Sequence, residues 1–212
     1  MNKLKKGILV LFEGGECCGK STIQKRCFDY FSKKYDSVKM REPGTAKASE
    51  RVRRILLDKK MKGKISALTE FLLYESSRAQ FVSEILKPAI EQKKLVLCDR
   101  FYYSTLAYQG FGRGIDLKTV ELLNGIASQG IKPDLAFIFD IPYEESQARM
   151  AKAGKKKDRI EQEAREFHEK VRKGYQYIAK NYREAVLIDA YHSPEYISRE
   201  IILKIEEYIS KQ

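Results

Sequence analysis

An apolar run, Ile8–Phe12, passes directly into Glu13-Gly14-Gly15-Glu16-Cys17-Cys18-Gly19-Lys20-Ser21-Thr22. Gly14, Gly19, Lys20 and Ser21 fit the pattern G-x-x-x-x-G-K-[ST]. Few architectures can carry such a loop. Its glycines let successive backbone N–H groups turn inward around a polyphosphate, and the helix that follows adds its positive N-terminal end. In this pattern Lys20 reaches the β- and γ-phosphates and the Ser21 hydroxyl ligates Mg²⁺. Gly14, Gly15, Glu16, Cys17, Cys18, Gly19, Lys20, Ser21 and Thr22 are therefore expected to form an ATP cradle. Cys17 and Cys18 have two readings: redox-sensitive thiols, or small side chains filling space where the backbone holds phosphate. The second is the expectation.

Four more short runs follow: Val38–Met40, Leu95–Cys98, Leu135–Phe139 and Val186–Ile188. They are apolar rather than alternating, as in strands buried on both faces of a parallel sheet. Between them lie helical patterns. Leu68, Phe71, Leu72, Ala79, Val82, Ile85 and Leu86 recur at helix spacing and predict one buried face, and Val52, Ile55 and Leu56 predict a shorter one. Strands alternating with helices predict an α/β fold of three layers, a five-stranded parallel sheet flanked by helices in the P-loop nucleoside-triphosphate hydrolase manner. No linker or repeat divides the chain, so residues 1–212 read as a single domain. Ligands in such sheets sit beyond the carboxyl ends of the strands.

The longest apolar runs are five residues, too short for a membrane span. Basic residues at 3, 5 and 6 lack the apolar stretch of a secretory signal, because Glu13 interrupts. Four cysteines with no C-x-x-C spacing predict reduced thiols and a cytoplasmic location. His168 and His192 are the only histidines and have no Cys or His at ligand spacing. A formal charge of +12 raises the question of a nucleic-acid partner.

No guanine-reading N-K-x-D motif is present, and the chain is short for a motor or helicase. A small nucleoside or nucleotide kinase fits better. It needs a second pocket, with arginines for the acceptor phosphate. The third run ends in Asp99-Arg100-Phe101, an acid and a guanidinium at a strand's carboxyl end. Tyr74 and Arg78 stand one helical turn apart, where an aromatic can stack a base while the arginine grips its phosphate.

Five segments in order resemble the thymidylate kinase family: Phe12 through Thr22, Arg41-Glu42-Pro43-Gly44, Asp99-Arg100-Phe101 running on through Ser104 to Gly110, Asp158-Arg159-Ile160-Glu161, and Ile188-Asp189-Ala190. The resemblance implies Mg²⁺-dependent phosphoryl transfer from ATP to dTMP in a homodimer. It implies that Tyr74 stacks on thymine, that Arg78 and Arg100 bind the dTMP phosphate, and that Thr105, Tyr108 and Gln109 line the base and sugar side, with Arg41 nearby. Lys20, Arg100, Glu16, Asp99 and Arg159 are the implied catalytic set, with Ser21 and Asp99 toward the metal. It also implies a lid around 149–160, in which Arg149 meets ATP and Arg149, Arg159 or a lysine acts as the lid cation. Two departures stand out. Thr45-Ala46 replaces the family's Gly-Thr, and Glu75-Ser76-Ser77 replaces its small-small-Asp.

A deoxynucleoside kinase or another nucleoside monophosphate kinase is the nearest alternative. A non-catalytic nucleotide sensor or nucleic-acid-binding P-loop protein is the alternative of another class. Residues 149–183 hold 12 Lys+Arg against 5 Asp+Glu, more than half of the net charge. The excess thus falls on the expected lid and the helix beyond it, which favours mononucleotides over nucleic acid.

Overall fold

The computed structural model describes residues 2–154 and 156–212. Lys155, one of the lysines of the expected lid, lies outside the described residues. The strands are β1 (Ile8–Gly14), β2 (Ser37–Arg41), β3 (Leu95–Asp99), β4 (Leu135–Asp140) and β5 (Ala185–Asp189). They form one parallel sheet in the order β2-β3-β1-β4-β5. Each apolar run of the sequence is a strand. The register aligns their polar ends, since Arg41 pairs with Asp99, Phe12 with Asp99 and Asp140 with Asp189. The charged ends of four strands therefore fall along one carboxyl edge.

Alternation along β1 divides the core. Leu9 and Leu11 enter one apolar cluster, whereas Ile8, Val10 and Phe12 enter the cluster on the other face. Burial on both faces holds for β1, β3 and β4 but not for β2 and β5. Lys39 and Leu187 are exposed because an edge strand lies beyond the helices that cover the middle of the sheet.

The helices are α1 (Lys20–Phe31), α2 (Lys47–Leu57), α3 (Ala67–Phe81), α4 (Lys87–Glu91), α5 (Tyr102–Thr105), α6 (Leu117–Ala127), α7 (Tyr143–Lys152), α8 (Arg165–Asn181) and α9 (Pro194–Ser210). Ser66, Asp116 and Ser193 start α3, α6 and α9 by accepting a backbone N–H three residues on. After α5 the chain widens into a π-helical segment, Leu106–Gly112, which carries Tyr108 and Gln109.

The expected buried face of α3 is half right. Phe71, Val82 and Leu86 are buried, but Leu68 and Leu72 are exposed, as is Ile55 on α2. The inner stripe of α3 is instead Glu70, Phe71, Glu75, Ser77, Arg78 and Phe81. Charges at 70, 75 and 78 share the buried stripe, at positions the apolar periodicity does not mark.

Helix α8 crosses the π-helical segment at close range. A Cβ on Gly174 would lie 2.9 Å from the Ala107 Cα and 3.0 Å from the Phe111 ring. Gly174→Ala is expected to cost about 1–3 kcal/mol by forcing these backbones apart. Denaturant unfolding measures it, and a loss below about 0.5 kcal/mol would contradict the close crossing.

Candidate active site

The phosphate loop joins β1 to α1. Gly14 has φ 142, and a Cβ there would stand 2.5 Å from the Phe139 carbonyl oxygen; Gly19, at the start of α1, has φ 97. Both positions are reserved for glycine. Lys20 folds back over the loop, donating to the carbonyls of Gly14 (3.0 Å) and Gly15 (2.5 Å) and lying 3.4 Å from the Cys18 Sγ. Cys18 is buried and Cys17 half-buried, as space-filling residues would be. Ser21 Oγ donates to Asp99 at 2.6 Å, which joins the two residues expected at the metal. Among the described residues no cluster of three or more His, Cys, Asp or Glu forms an all-protein metal cage. A hydroxyl beside a carboxylate suits Mg²⁺, which takes its other ligands from phosphates and water.

Two cavities adjoin at the carboxyl edge. One, of about 450 Å³, is lined by residues 16–22 with Arg41, Asp99 and Arg149. The other, of about 100 Å³, is lined by Tyr74, Arg78, Thr105, Tyr108, Gln109, Asp158 and Ile160. Glu16, Glu42, Arg53 and Arg100 line both.

Arg100 follows β3 with φ 69, a left-handed conformation that strains any residue except glycine. Its N–H donates to the Phe12 carbonyl at 3.0 Å, and the next N–H, of Phe101, donates to the Glu13 carboxylate at 2.7 Å. The Arg100 Nη2 donates to Glu16 at 2.6 Å, and Tyr108 OH donates to the same Glu16 oxygen at 2.8 Å. Burial would lower the Arg100 pKa, but Glu16, then Tyr108 and Tyr175, outweigh it and hold the guanidinium protonated.

Arg53 was not singled out from the sequence. It donates to the Pro43 carbonyl at 3.0 Å, and among the described residues no carboxylate pairs with it. Burial, then Arg41, lowers its pKa, with Arg100 adding to the effect. A half-buried cation beside two others is a site waiting for an anion. Helix phase carried the signal, since Arg53 lies four residues after buried Ser49 and three before buried Leu56.

Arg78 is different. Its Nη1 donates to Glu75 (2.6 Å) and Asn124 (2.6 Å), Nη2 to Glu42 (3.0 Å) and Thr105 (2.6 Å), and Nε to Glu42 (3.3 Å). All five N–H groups are engaged, so Arg78 has none left for a phosphate. Glu75, one of the departures noted above, is thus a partner of Arg78. Burial raises the pKa of Glu42 despite Arg78. Tyr74 lines the same cavity one turn away, as expected.

Gln109 donates to Glu70 at 2.9 Å, and Glu70 also accepts from Arg113 and Arg159. Arg159 is buried, bonded to the Leu56 carbonyl at 2.6 Å and paired with Glu70 at 2.7 Å. It lines neither cavity, so the structure does not bring it to the phosphate loop. Arg149 does line the larger cavity, donating to Glu145 and to the Ala190 carbonyl. Arg41 lies on that side as well, exposed and paired with Glu50. Thr45, where the family has glycine, sits at φ 70, and its hydroxyl bonds the Arg41 carbonyl at 2.9 Å.

Removing Arg78 strands two buried carboxylates. Arg78→Ala is therefore expected to destabilise the fold by about 3–5 kcal/mol in urea unfolding. A loss near zero would contradict the paired-core reading.

The profile of the family described as thymidylate kinase matches residues 12–201. The thymidylate kinase of Thermoanaerobacter sp. (strain X514) is 43% identical over 206 residues, covering 96% of this chain and 100% of that protein. That of Staphylococcus epidermidis (strain ATCC 12228 / FDA PCI 1200) is 38% identical over 201 residues, covering 94% and 98%. The crystal structure of thymidylate kinase from Ehrlichia chaffeensis superimposes with a TM-score of 0.76 at 30% identity, covering 95% of this chain and 99% of that one. A phosphate loop, an adjoining pocket walled by Tyr74 and Tyr108, and likeness over nearly the whole length agree: this chain belongs to the thymidylate kinase family.

Proposed function

We propose that the protein transfers the γ-phosphoryl group of ATP to dTMP, giving dTDP and ADP. The observation that carries the reading is the meeting of two cavities at Arg53 and Arg100. A phosphate oxygen of dTMP attacks the γ-phosphorus from the smaller cavity, and the bond to the β-phosphate oxygen breaks toward the larger one. Such transfer is mostly positioning and charge neutralisation, without a covalent intermediate. Lys20 and the loop amides hold the β- and γ-phosphates, leaving the Gly14 and Gly15 carbonyls that Lys20 now contacts. Ser21 and Asp99 hold Mg²⁺, which when bound neutralises the phosphate oxygens.

Arg53 and Arg100 take the acceptor phosphate, and Arg41 adds positive charge at the donor side. Arg78 belongs to the walls of the base pocket, where it fixes Thr105 opposite Tyr74, with Gln109 beside them. Glu16 positions Arg100 and Tyr108. Residues 149–160 are proposed as the cover of both cavities, because Arg149 lines one and Asp158 and Ile160 line the other. In that cover Arg149 is the cation for ATP, and Arg159 ties the turn to Glu70.

The homodimer belongs to the same proposal. Ile55, Leu68, Leu72, Leu122 and Ile126 are 46–65% exposed on α2, α3 and α6, and α3 packs against both other helices. A second copy laying its own stripe on this one would remove the apolar surface from water. No helix among the described residues is long and apolar enough to cross a membrane. Four cysteines without C-x-x-C spacing suit the proposed cytoplasmic location.

Initial rates with ATP and a panel of nucleoside monophosphates test the activity, and dTMP is expected to be the best acceptor. Arg100→Ala should lower kcat by about 10²–10³-fold. Arg53→Ala should raise the KM for dTMP by roughly 10- to 100-fold. Thymidine outrunning dTMP would favour a deoxynucleoside kinase, and no turnover with retention on DNA would favour a binding protein. Sedimentation of the 24.6-kDa chain should give a dimer that Leu122→Glu with Ile126→Glu dissociates. A monomeric wild type would overturn the dimer.

A further inference from the structure

Glu13 touches neither cavity, yet it lies fully buried at the end of the central strand. It continues the row Leu9–Leu11 and so faces the side of the sheet that α5 and α8 cover. One carboxylate oxygen accepts the Phe101 N–H at 2.7 Å. The other accepts Ser104 Oγ–H at 2.6 Å and Tyr175 O–H at 3.2 Å. Those two hydroxyl oxygens are also acceptors for Arg100, whose Nη1 lies 3.2 Å from Ser104 Oγ, 3.0 Å from Tyr175 OH and 2.9 Å from the Gly14 carbonyl.

The arrangement has a direction. A hydroxyl has one proton, and the ionised Glu13 draws the protons of Ser104 and Tyr175 toward itself. Lone pairs on both oxygens are thereby turned to the guanidinium. A protonated Glu13 becomes a donor to one of them. The hydroxyl that accepts it turns its own hydrogen to the other hydroxyl, since Ser104 Oγ and Tyr175 OH lie 2.9 Å apart, and a lone pair that faced Nη1 is spent there. Arg100 loses an acceptor and the nearby negative charge together.

We propose that Glu13 is a positioning residue: its carboxylate orders the Ser104 and Tyr175 hydroxyls to hold Arg100 at the junction of the two cavities, and uptake of one proton there loosens Arg100 and lowers turnover. The proposal rests on the reading of Arg100 as the group that neutralises the transferred phosphate.

The surroundings bear on where that proton is taken up. The charged and titratable groups around Glu13 are Arg100 and Cys98 from β3 and the turn after it, Tyr102 from α5, Tyr175 from α8 and Lys20 from the loop. On β4 its register partner is Ile138. Burial pushes the Glu13 carboxyl up to about 7, against the lowering by Ser104, Arg100, the Phe101 N–H and Lys20.

The sign of the stability effect separates positioning from mere structure. A carboxyl raised above its ordinary 4.5 contributes stability that is full below that value and is lost as pH rises through about 7. Protonation of Glu13 therefore steadies the fold while it disarms Arg100. Between pH 5.5 and 7.5 this group should move Tm and kcat in opposite directions. A purely structural role would move them together.

The experiment measures kcat, with saturating ATP and dTMP, and Tm from pH 5.5 to 8.5 for wild type, Glu13→Gln, Ser104→Ala and Arg100→Lys. Glu13→Gln should lower kcat at pH 8 by about 10- to 100-fold with the KM for ATP unchanged. It should also lose the wild-type fall in kcat below pH 7, a fall that the nucleotides' own phosphates would leave in both proteins. Ser104→Ala removes a bond that lowers the Glu13 pKa, so its acid limb should move to higher pH. That readout stands even where Glu13→Gln fails to fold. An acid limb kept in Glu13→Gln, or unmoved in Ser104→Ala, would overturn the role of Glu13. Full kcat in Arg100→Lys would instead overturn the reading of Arg100 beneath it.

Discussion

The pairing of β1 on both sides is the constraint from which the rest follows. Parallel registry with β3 and β4 brings Gly14, Asp99 and Asp140 to one edge, with the phosphate loop at its centre. Because β1 is buried along its whole length, neither strand nor loop can shift without opening both cores. Arg100 is then held by the Phe12 carbonyl, and Ser21 meets Asp99 across 78 residues of sequence. The strained φ of Arg100 persists because these contacts over-determine it.

Charge is sorted by the same geometry. Arg78 and Arg159 lie in the interior beside Glu42, Glu75 and Glu70, as burial of a cation requires. Arg53 lies where the two cavities meet and, among the described residues, makes no close ion pair with a carboxylate. Arg53 is thus left open to an anion, whereas Arg78 and Arg159 are spent on carboxylates in the core. The sequence-wide excess of +12 does not make that distinction.

The phosphate loop was legible from the sequence because its chemistry is local, with all its groups supplied by nine consecutive residues. The five strands were legible because burial leaves an apolar run. The face of α3 is not legible at Leu68 and Leu72, because an exposed apolar stripe has the same spacing as a core stripe. Arg78 is marked by its spacing from Tyr74, but its carboxylate partners at 42 and 75 can be recognised only once β2 and α3 are packed together. Arg53 is one of three arginines of one helix, and no local pattern sets it apart from the other two until the buried face of that helix is known. Glu13 was read as part of a loop motif, because the groups it orders lie 88 to 162 residues away.

Together the contacts describe a site in which a rigid interior holds Arg100 at the meeting point of the two cavities, with Arg53 beside it. A crystal structure of the protein with dTMP and ADP tests this most directly. The account predicts the dTMP phosphate within hydrogen-bond distance of both Arg53 and Arg100, and the thymine ring against Tyr74. A phosphate seated on Arg78, or a dTMP molecule outside the Tyr74 pocket, would contradict it.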